Sequence, residues 1–202
     1  MNMLRQLFGK DVLRDFWHWF SKHQDKFYNF ESDQRQLFSA MGKKLKQIHE
    51  NLTFEFSPVH DDGTRELTIS ADGIKDAFPY VVQLVDRAPK IDRWKINAFR
   101  QRITADDLAV QLGEDVKLGY DDIFFRHERN DSLFDLDLHI RGYRENDNIK
   151  SAVFILLDAL LGEYDMEMKV GRLDFGPLDE NKKDNLAPIV QLRSLVDGFI
   201  AT

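Results

Sequence analysis

Apolar residues recur at helical spacing in the first part of the chain. One run places five of them on a single helical face: Leu13, Phe16, Trp17, Phe20 and Phe27. A second run lies between Asp33 and His49, and Ser32 is expected to cap its first turn. The pattern predicts a pair of helices over 11–50.

The hydrophobic period then changes to two, which is typical of strands with one buried face. Alternating runs over 52–57 and 66–71 flank the turn residues His60 to Gly63 and predict a β-hairpin. A short helix over 77–87 follows. Its predicted inward residues are Phe78, Val81, Val82 and Val85. With a strand over 94–98, residues 52–100 form a predicted ββαβ unit.

The same order of elements returns over 122–176. A strand over 122–128 and a turn precede the most regular alternation in the chain, 134–140. A helix capped by Asp147 or Asn148 then runs to Leu161 and ends at Gly162. The next strand is expected to open with the residues Met166, Met168 and Val170. The repeated order indicates a structural duplication, although the two segments share almost no residue identity.

These elements predict an α+β fold with a largely antiparallel sheet built from two ββαβ-like units. Two N-terminal helices and one C-terminal helix over 188–200, which includes Phe199, complete it. A small hairpin lies within 103–120, and the polar stretch 178–185 is predicted to be a mobile loop. Since no linker is rich in Gly, Pro or Ser, we expect a single domain over 1–202.

Composition narrows the functional classes. The chain has 202 residues, of which 35 are acidic and 28 basic, so its formal charge is −7. This balance disfavours nucleic-acid binding and favours a basic protein partner. The absence of cysteine excludes disulfides, thiolate metal sites and cysteine nucleophiles. Without a signal-like leader or an apolar run of about 18 residues, we expect a cytoplasmic protein that does not enter a membrane.

The common catalytic motifs do not occur in the sequence. We find no glycine-rich phosphate loop, nucleophile elbow, HExxH zinc motif or 12-residue calcium loop. The residues therefore assign no catalytic site, no cofactor and no metal site.

The most suggestive chemistry lies on the 134–140 strand. Asp135, Asp137 and His139 alternate with apolar residues, so they share the face opposite the core with Arg141. Two carboxylates and an imidazole suit a divalent ion or acid–base chemistry. The plainer interpretation is a solvated strand face. A nearby Arg141 would repel a divalent cation, which favours a partner with both donors and acceptors.

A broader polar face follows if both units share one sheet. Its expected members are Thr53, Glu55, Thr68, Ser70, Lys95, Asn97, Arg126, Glu128, Asp135, Asp137, His139 and Arg141. Such faces usually meet water. The functional alternative is a recognition surface, in which we include Arg126 with the four residues of the 134–141 strand face.

Aromatic residues are dense near the N-terminus: Phe8, Phe16, Trp17, Trp19, Phe20, Phe27, Tyr28 and Phe30. We interpret them as a helix packed between a sheet and a second helix, with a peptide-binding groove as the alternative. Trp19 lies off the main stripe and is the residue placed to face a partner.

Four short segments carry a resemblance. They are Phe16-Trp17-His18-Trp19-Phe20, Ile69-Ser70-Ala71-Asp72-Gly73, Ala88-Pro89-Lys90 before Trp94-Lys95-Ile96-Asn97-Ala98-Phe99, and Leu156-Leu157-Asp158-Ala159-Leu160-Leu161-Gly162-Glu163. Together they resemble a family of uncharacterised bacterial proteins whose domains occur alone or beside helical repeats. The resemblance covers about 11–200. It implies one bacterial α+β domain of unknown function and transfers no catalytic residue.

The sequence thus favours a noncatalytic interaction or regulatory domain that binds a protein partner. The alternative is a small, metal-assisted hydrolase that uses Asp135, Asp137 and His139 on a polar sheet face.

Overall fold

The computed structural model describes residues 11–198, so the predicted roles of Phe8 and Phe199 lie outside the described residues. The chain divides into two compact units, unit 1 (Met1–Phe99) and unit 2 (Arg100–Thr202). Each combines helices with a sheet, which confirms the α+β class. The single domain expected over 1–202 stays a prediction.

The described part of unit 1 contains three α-helices and three strands. In chain order they are α1 (Val12–Tyr28), α2 (Gln34–Lys46), β1 (Thr53–Phe56), β2 (Arg65–Ser70), α3 (Phe78–Asp86) and β3 (Trp94–Ala98). β1 pairs with β2 in antiparallel sense, and β3 pairs with β2 in parallel sense. Both predicted N-terminal helices and the hairpin are present.

The core of unit 1 is built on the aromatic stripe of α1. Phe20 and Phe27 are fully buried. Trp17 is buried beside them, and its indole N–H donates to the carbonyl oxygen of Leu84 over 2.7 Å. This bond holds α1 against α3, so the interpretation of the N-terminal aromatics as core residues agrees with the structure.

Two details of unit 1 differ from the prediction. Val82 is exposed and Leu84 is buried instead, because Phe78, Val81 and Leu84 follow one another every three residues on the inner face of α3. Ser32 does not cap α2. It ends a short 3-10 helix, where its hydroxyl donates to the Asn29 carbonyl, and Asp33 takes the N-cap position.

Up to Gly198, unit 2 contains six strands and three α-helices. In chain order they are β4 (Ala109–Leu112), β5 (Val116–Gly119), β6 (Ile123–Asn130), β7 (Leu133–Ile140), α4 (Asp147–Leu161), α5 (Glu163–Lys169), β8 (Val170–Pro177), β9 (Ala187–Pro188) and α6 (Leu192–Asp197). β4 and β5 form the predicted small hairpin. The other four strands form a sheet in the order β8-β7-β6-β9.

The two units repeat one strand plan. In β1-β2-β3 and in β6-β7-β8 the first pair is antiparallel and the second pair is parallel. The parallel pair arises because a helical crossover returns the chain to the starting end of the preceding strand. The expected single shared sheet is wrong, since the described strands form three separate sheets, each within one unit.

Several boundaries in unit 2 are also corrected. Met166 and Met168 belong to helix α5, and the strand starts only at Val170. Asn146 caps α4 by accepting from the N–H of Asn148, whereas the predicted caps were one and two positions later. Gly162 ends α4 with a φ of 79°, as predicted.

Residues 178–198 also differ from the prediction. Residues Glu180–Asn185 form a 3-10 helix, where a mobile loop was expected. Pro188 belongs to β9, which pairs with β6, and the final α-helix covers only Leu192–Asp197. Within 11–198, no helix is long and apolar enough to cross a membrane.

Candidate functional site

The predicted polar side chains of unit 2 lie on the outer face of its four-stranded sheet, β8-β7-β6-β9. Phe134, Leu136, Leu138 and Ile140 of β7 are buried against α4 and its neighbours, which confirms the predicted register. The intervening side chains therefore lie on the opposite face, where the neighbouring strands add more charges. Arg126 of β6 is in register with Asp137, and Glu128 is in register with Asp135.

These side chains line a shallow groove of about 280 Å³, which we call the sheet groove. Its lining residues are Arg126, His127, Glu128, Asp135, Leu136, Asp137, Arg172 and Asp174. Four of them are carboxylates and two are arginines, so the groove has an acidic excess. The predicted binding residues Arg126, Asp135 and Asp137 are thus brought together.

Asp135 has a structural role in this groove. The pairing of β7 with β8 is irregular here, because Gly171 and Arg172 together oppose Asp135. The Asp135 carboxylate accepts the main-chain N–H of Arg172 over 2.8 Å, and this bond lowers the pKa of Asp135 below its ordinary value. A Cβ atom on Gly171 would overlap the same carboxylate, so the bulge and the aspartate fit each other.

Asp137 is paired with His139 rather than with Arg126. The His139 Nε2 atom lies 3.0 Å from the Asp137 Oδ2 atom. Arg126 faces Asp137 in register, yet the two side chains form no ion pair. Among residues 11–198, the side chains of Arg126 and Glu128 have no hydrogen-bond or ion-pair partner. They are the two unpaired charges of the sheet groove.

On the β8 side of the groove, the charges of Arg172 and Asp174 neutralise each other. The Arg172 Nε atom lies 3.0 Å from the Asp174 Oδ2 atom, and both side chains are exposed. The sequence prediction missed these two residues because the alternation of Met166, Met168 and Val170, continued along the strand, puts them on the buried face. The bulge at Gly171 and Arg172 reverses the faces. The alternation of Arg172 and Asp174 with Leu173 and Phe175 is the signal that identifies them.

Arg141 lies outside the sheet groove. Its guanidinium pairs with Asp122 over 3.2 Å and with Glu180. Next to this region, Lys183 Nζ lies 4.5 Å from the ring centroid of Phe124 on the polar side of β6. The 180–185 helix therefore covers this end of the sheet, and the place of Arg141 in the binding face stays a prediction.

Trp19 belongs to unit 1, whereas the residues of the sheet groove belong to unit 2. It is half-buried, with ring centroids 6.1 Å from Phe16 and 5.4 Å from Phe27. The Nζ atom of Lys44 lies 5.6 Å from its ring centroid. Trp19 is thus held by neighbours on α1 and α2, which leaves only part of the indole accessible to a partner.

The residues of the predicted polar face do not belong to one sheet. The unit 1 members lie on a sheet of their own, and Ser70 is fully buried there. Asn97 donates to Glu66 over 2.8 Å on that face. The proposal of one common face fails because it required one common sheet.

The two units differ in formal charge. Unit 2 has 21 Asp and Glu residues against 13 Lys and Arg residues, a formal charge of −8, whereas unit 1 has 14 against 15. The acidic character of the protein is therefore a property of unit 2. Any electrostatic attraction of a basic partner acts mainly on this unit.

The described residues contain no group of three or more His, Asp or Glu side chains arranged to hold a metal ion.

Comparisons with protein-family models, with curated proteins and with solved structures find no match for this chain.

Proposed function

We propose that the protein is a noncatalytic interaction or regulatory domain that binds a protein partner through the sheet groove of unit 2. The observation that carries this proposal is the pair of unpaired charges, Arg126 and Glu128, on one face of β6. Their neighbours Asp135, Asp137, Arg172 and Asp174 all have partners within the unit. A ligand can therefore bind at Arg126 and Glu128 without breaking an existing pair.

The distance between Arg126 and Glu128 limits which ligands can contact both side chains. Alternate residues of a strand are about 7 Å apart on the same face. A polypeptide that presents a carboxylate or carbonyl oxygen to Arg126 and a Lys or Arg side chain to Glu128 matches this arrangement. The charge of −8 on unit 2 favours a basic partner and speeds its encounter, an effect that salt weakens.

The proposal includes a cytoplasmic location and a partner that is not a nucleic acid. The low content of basic residues in unit 2 supports the second point, since phosphate binding needs clustered Lys and Arg. The resemblance to uncharacterised bacterial α+β proteins is part of the same proposal and adds no activity to it.

The double variant Arg126→Gln, Glu128→Gln should lose the partner. Glu128→Gln keeps the side-chain length, Arg126→Gln shortens the side chain, and together they leave the net charge unaltered while removing the charge pair. Immobilised parent and variant are compared as baits in a native lysate, and retained proteins are quantified by mass spectrometry at low and high salt. We expect at least one protein whose salt-sensitive retention disappears with the variant.

The matched control is Arg144→Gln, Glu114→Gln. Both of these residues are exposed in unit 2 and lie outside the sheet groove, and the net charge is again unchanged. The control should retain the same proteins as the parent. Equal retention by the groove variant, the control and the parent would contradict the proposed binding face.

The alternative function, a small metal-assisted hydrolase, has one supporting observation. Asp137 and His139 form a carboxylate–imidazole pair at 3.0 Å, an arrangement that suits proton transfer. Asp135, the third residue of that hypothesis, is committed to the main-chain N–H of Arg172. The pair would therefore need a ligand from another element to hold a metal ion.

Isothermal titration with Mg²⁺, Mn²⁺, Ca²⁺ and Zn²⁺ distinguishes the two functions. We expect no saturable micromolar binding, because Arg126 lies in register with Asp137 and repels a divalent cation. Binding by the parent that is lost in Asp137→Ala would put the hydrolase first. Asn148→Ala, a change at an exposed polar residue of α4 away from the groove, serves as the control.

A further inference from the structure

Helix α4 has an apolar side that residues 11–198 leave uncovered. Its sequence is apolar almost all round, which is typical of a helix buried on every side. The inner side meets this expectation, but Phe154 and Ile155 are 48% and 45% exposed. Single exposed apolar residues are ordinary, whereas two adjacent large ones on one helix indicate a contact surface.

The uncovered side continues beyond α4. The ring centroid of Phe154 lies 6.1 Å from that of Phe175 on β8. On the other flank, the main-chain N–H of Ile103 donates to the carbonyl oxygen of Ala159 over 2.8 Å, one helical turn beyond Ile155. Ile103 is 46% exposed. We call Phe154, Ile155, Phe175 and Ile103 the α4 surface.

Carboxylates lie at both margins of the α4 surface. Asp147 is exposed in the first turn of α4, and Asp106 and Asp107 are exposed a few residues after Ile103. Only Asp106 of these three is in an ion pair, with Arg193. The nearby cations are paired, Lys150 with Glu145 and Arg193 with Asp106, so with the −8 charge of unit 2 the surroundings of the apolar residues are acidic on balance.

We propose that the α4 surface docks an amphipathic helix of another protein, with apolar residues at i, i+3, i+4 and i+7 flanked by Lys and Arg. Apolar anchors of this spacing pack on an exposed helix, and the flanking cations complement the acidic margins. A second copy of this chain is the less favourable occupant, because two surfaces of the same negative charge would be brought together. This second site does not depend on the sheet groove, since α4 packs on the opposite face of the sheet.

The test uses a fluorescently labelled Leu/Lys peptide with Leu at the four anchor positions and a Leu/Glu peptide of the same spacing. Fluorescence anisotropy measures their binding to the full chain. We expect the Leu/Lys peptide to bind and the Leu/Glu peptide not to bind. In Phe154→Ser, Ile155→Ser the affinity for the Leu/Lys peptide should fall by about tenfold or more.

The variant Arg144→Gln, Glu114→Gln, whose residues belong neither to the α4 surface nor to the sheet groove, is the matched control and should bind the peptide as the parent does. Far-UV circular dichroism verifies that each variant is folded, which is expected because all four side chains are exposed. Equal binding by parent and α4 variant, or a loss caused by the control variant instead, would overturn the proposal. Sedimentation that shows a parent dimer dissociated by the α4 variant would overturn it in favour of a second copy.

Discussion

Leu156→Ala should lower the free energy of unfolding of unit 2 by about 2–5 kcal/mol. Leu156 is fully buried on the inner side of α4. Its carbonyl oxygen accepts the Tyr120 hydroxyl over 3.2 Å, so the helix backbone is held in place at this point. A cavity left by the removed side chain can therefore collapse only in part. Urea unfolding followed by far-UV circular dichroism measures the change.

Ile155→Ala is the matched control for this variant. It removes a branched aliphatic side chain from the adjacent residue of α4, which is on the uncovered side. Its effect on stability should be small, because little apolar area returns to water. A Leu156→Ala protein as stable as Ile155→Ala would contradict the burial of the inner side of α4.

Leu156→Ala also tests the prediction of one domain over 1–202. All three tryptophans, Trp17, Trp19 and Trp94, lie in unit 1. Their fluorescence therefore reports unfolding of that unit, whereas circular dichroism reports both. One domain requires the fluorescence transition of Leu156→Ala to shift together with the dichroism transition. A fluorescence transition that stays at the parent's urea concentration would instead show independent unfolding of two units.

The sequence predicts best those elements whose signal is local. The alternation over 134–140 specifies the face of every residue of β7, because a slip of one position would expose Leu136 and Leu138. The turn residues His60 to Gly63 similarly fix the β1–β2 hairpin, where the His60 N–H donates to the Thr64 carbonyl over 2.8 Å. In both cases the information lies within a few residues of the element itself.

Short apolar patterns are less decisive. Met166, Met168 and Val170 alternate, but three positions are too few to exclude a helix. Met168 is exposed at the end of α5, and the strand period becomes visible only from Val170 onwards. The error moved the strand boundary, and the same alternation continued to Phe175 put Arg172 and Asp174 on the buried face.

Roles that depend on another strand could not be predicted. Asp135 was identified as a candidate by its alternation, yet its partner is the N–H of Arg172 in a bulge of β8. Arg141 is odd-numbered like Asp135 and was therefore expected on the same strand face, but its guanidinium is paired with Asp122 and Glu180. The alternation of odd and even positions shows which face of a strand a side chain lies on. The charge partner of that side chain depends on residues distant in sequence.

The core of unit 1 should be as sensitive to truncation as α4. Phe20→Ala is expected to lower the free energy of unfolding by about 3–5 kcal/mol. Phe20 is fully buried, with its ring centroid 5.2 Å from that of Trp94 and 5.5 Å from that of Phe27. The variant therefore loses apolar burial and edge-to-face contacts together, and the surrounding rings are too rigid to fill the space.

Tryptophan fluorescence in urea measures this loss directly, because Trp94 and Trp17 both contact Phe20. Val82→Ala is the control in the same unit: the sequence predicted Val82 to be buried, and the structure exposes it. We expect a nearly unchanged midpoint for Val82→Ala and a strongly lowered one for Phe20→Ala. If Val82→Ala were the more destabilising of the two, the inner face of α3 would be the one predicted from the sequence, and the packing of α1 against it would have to be revised.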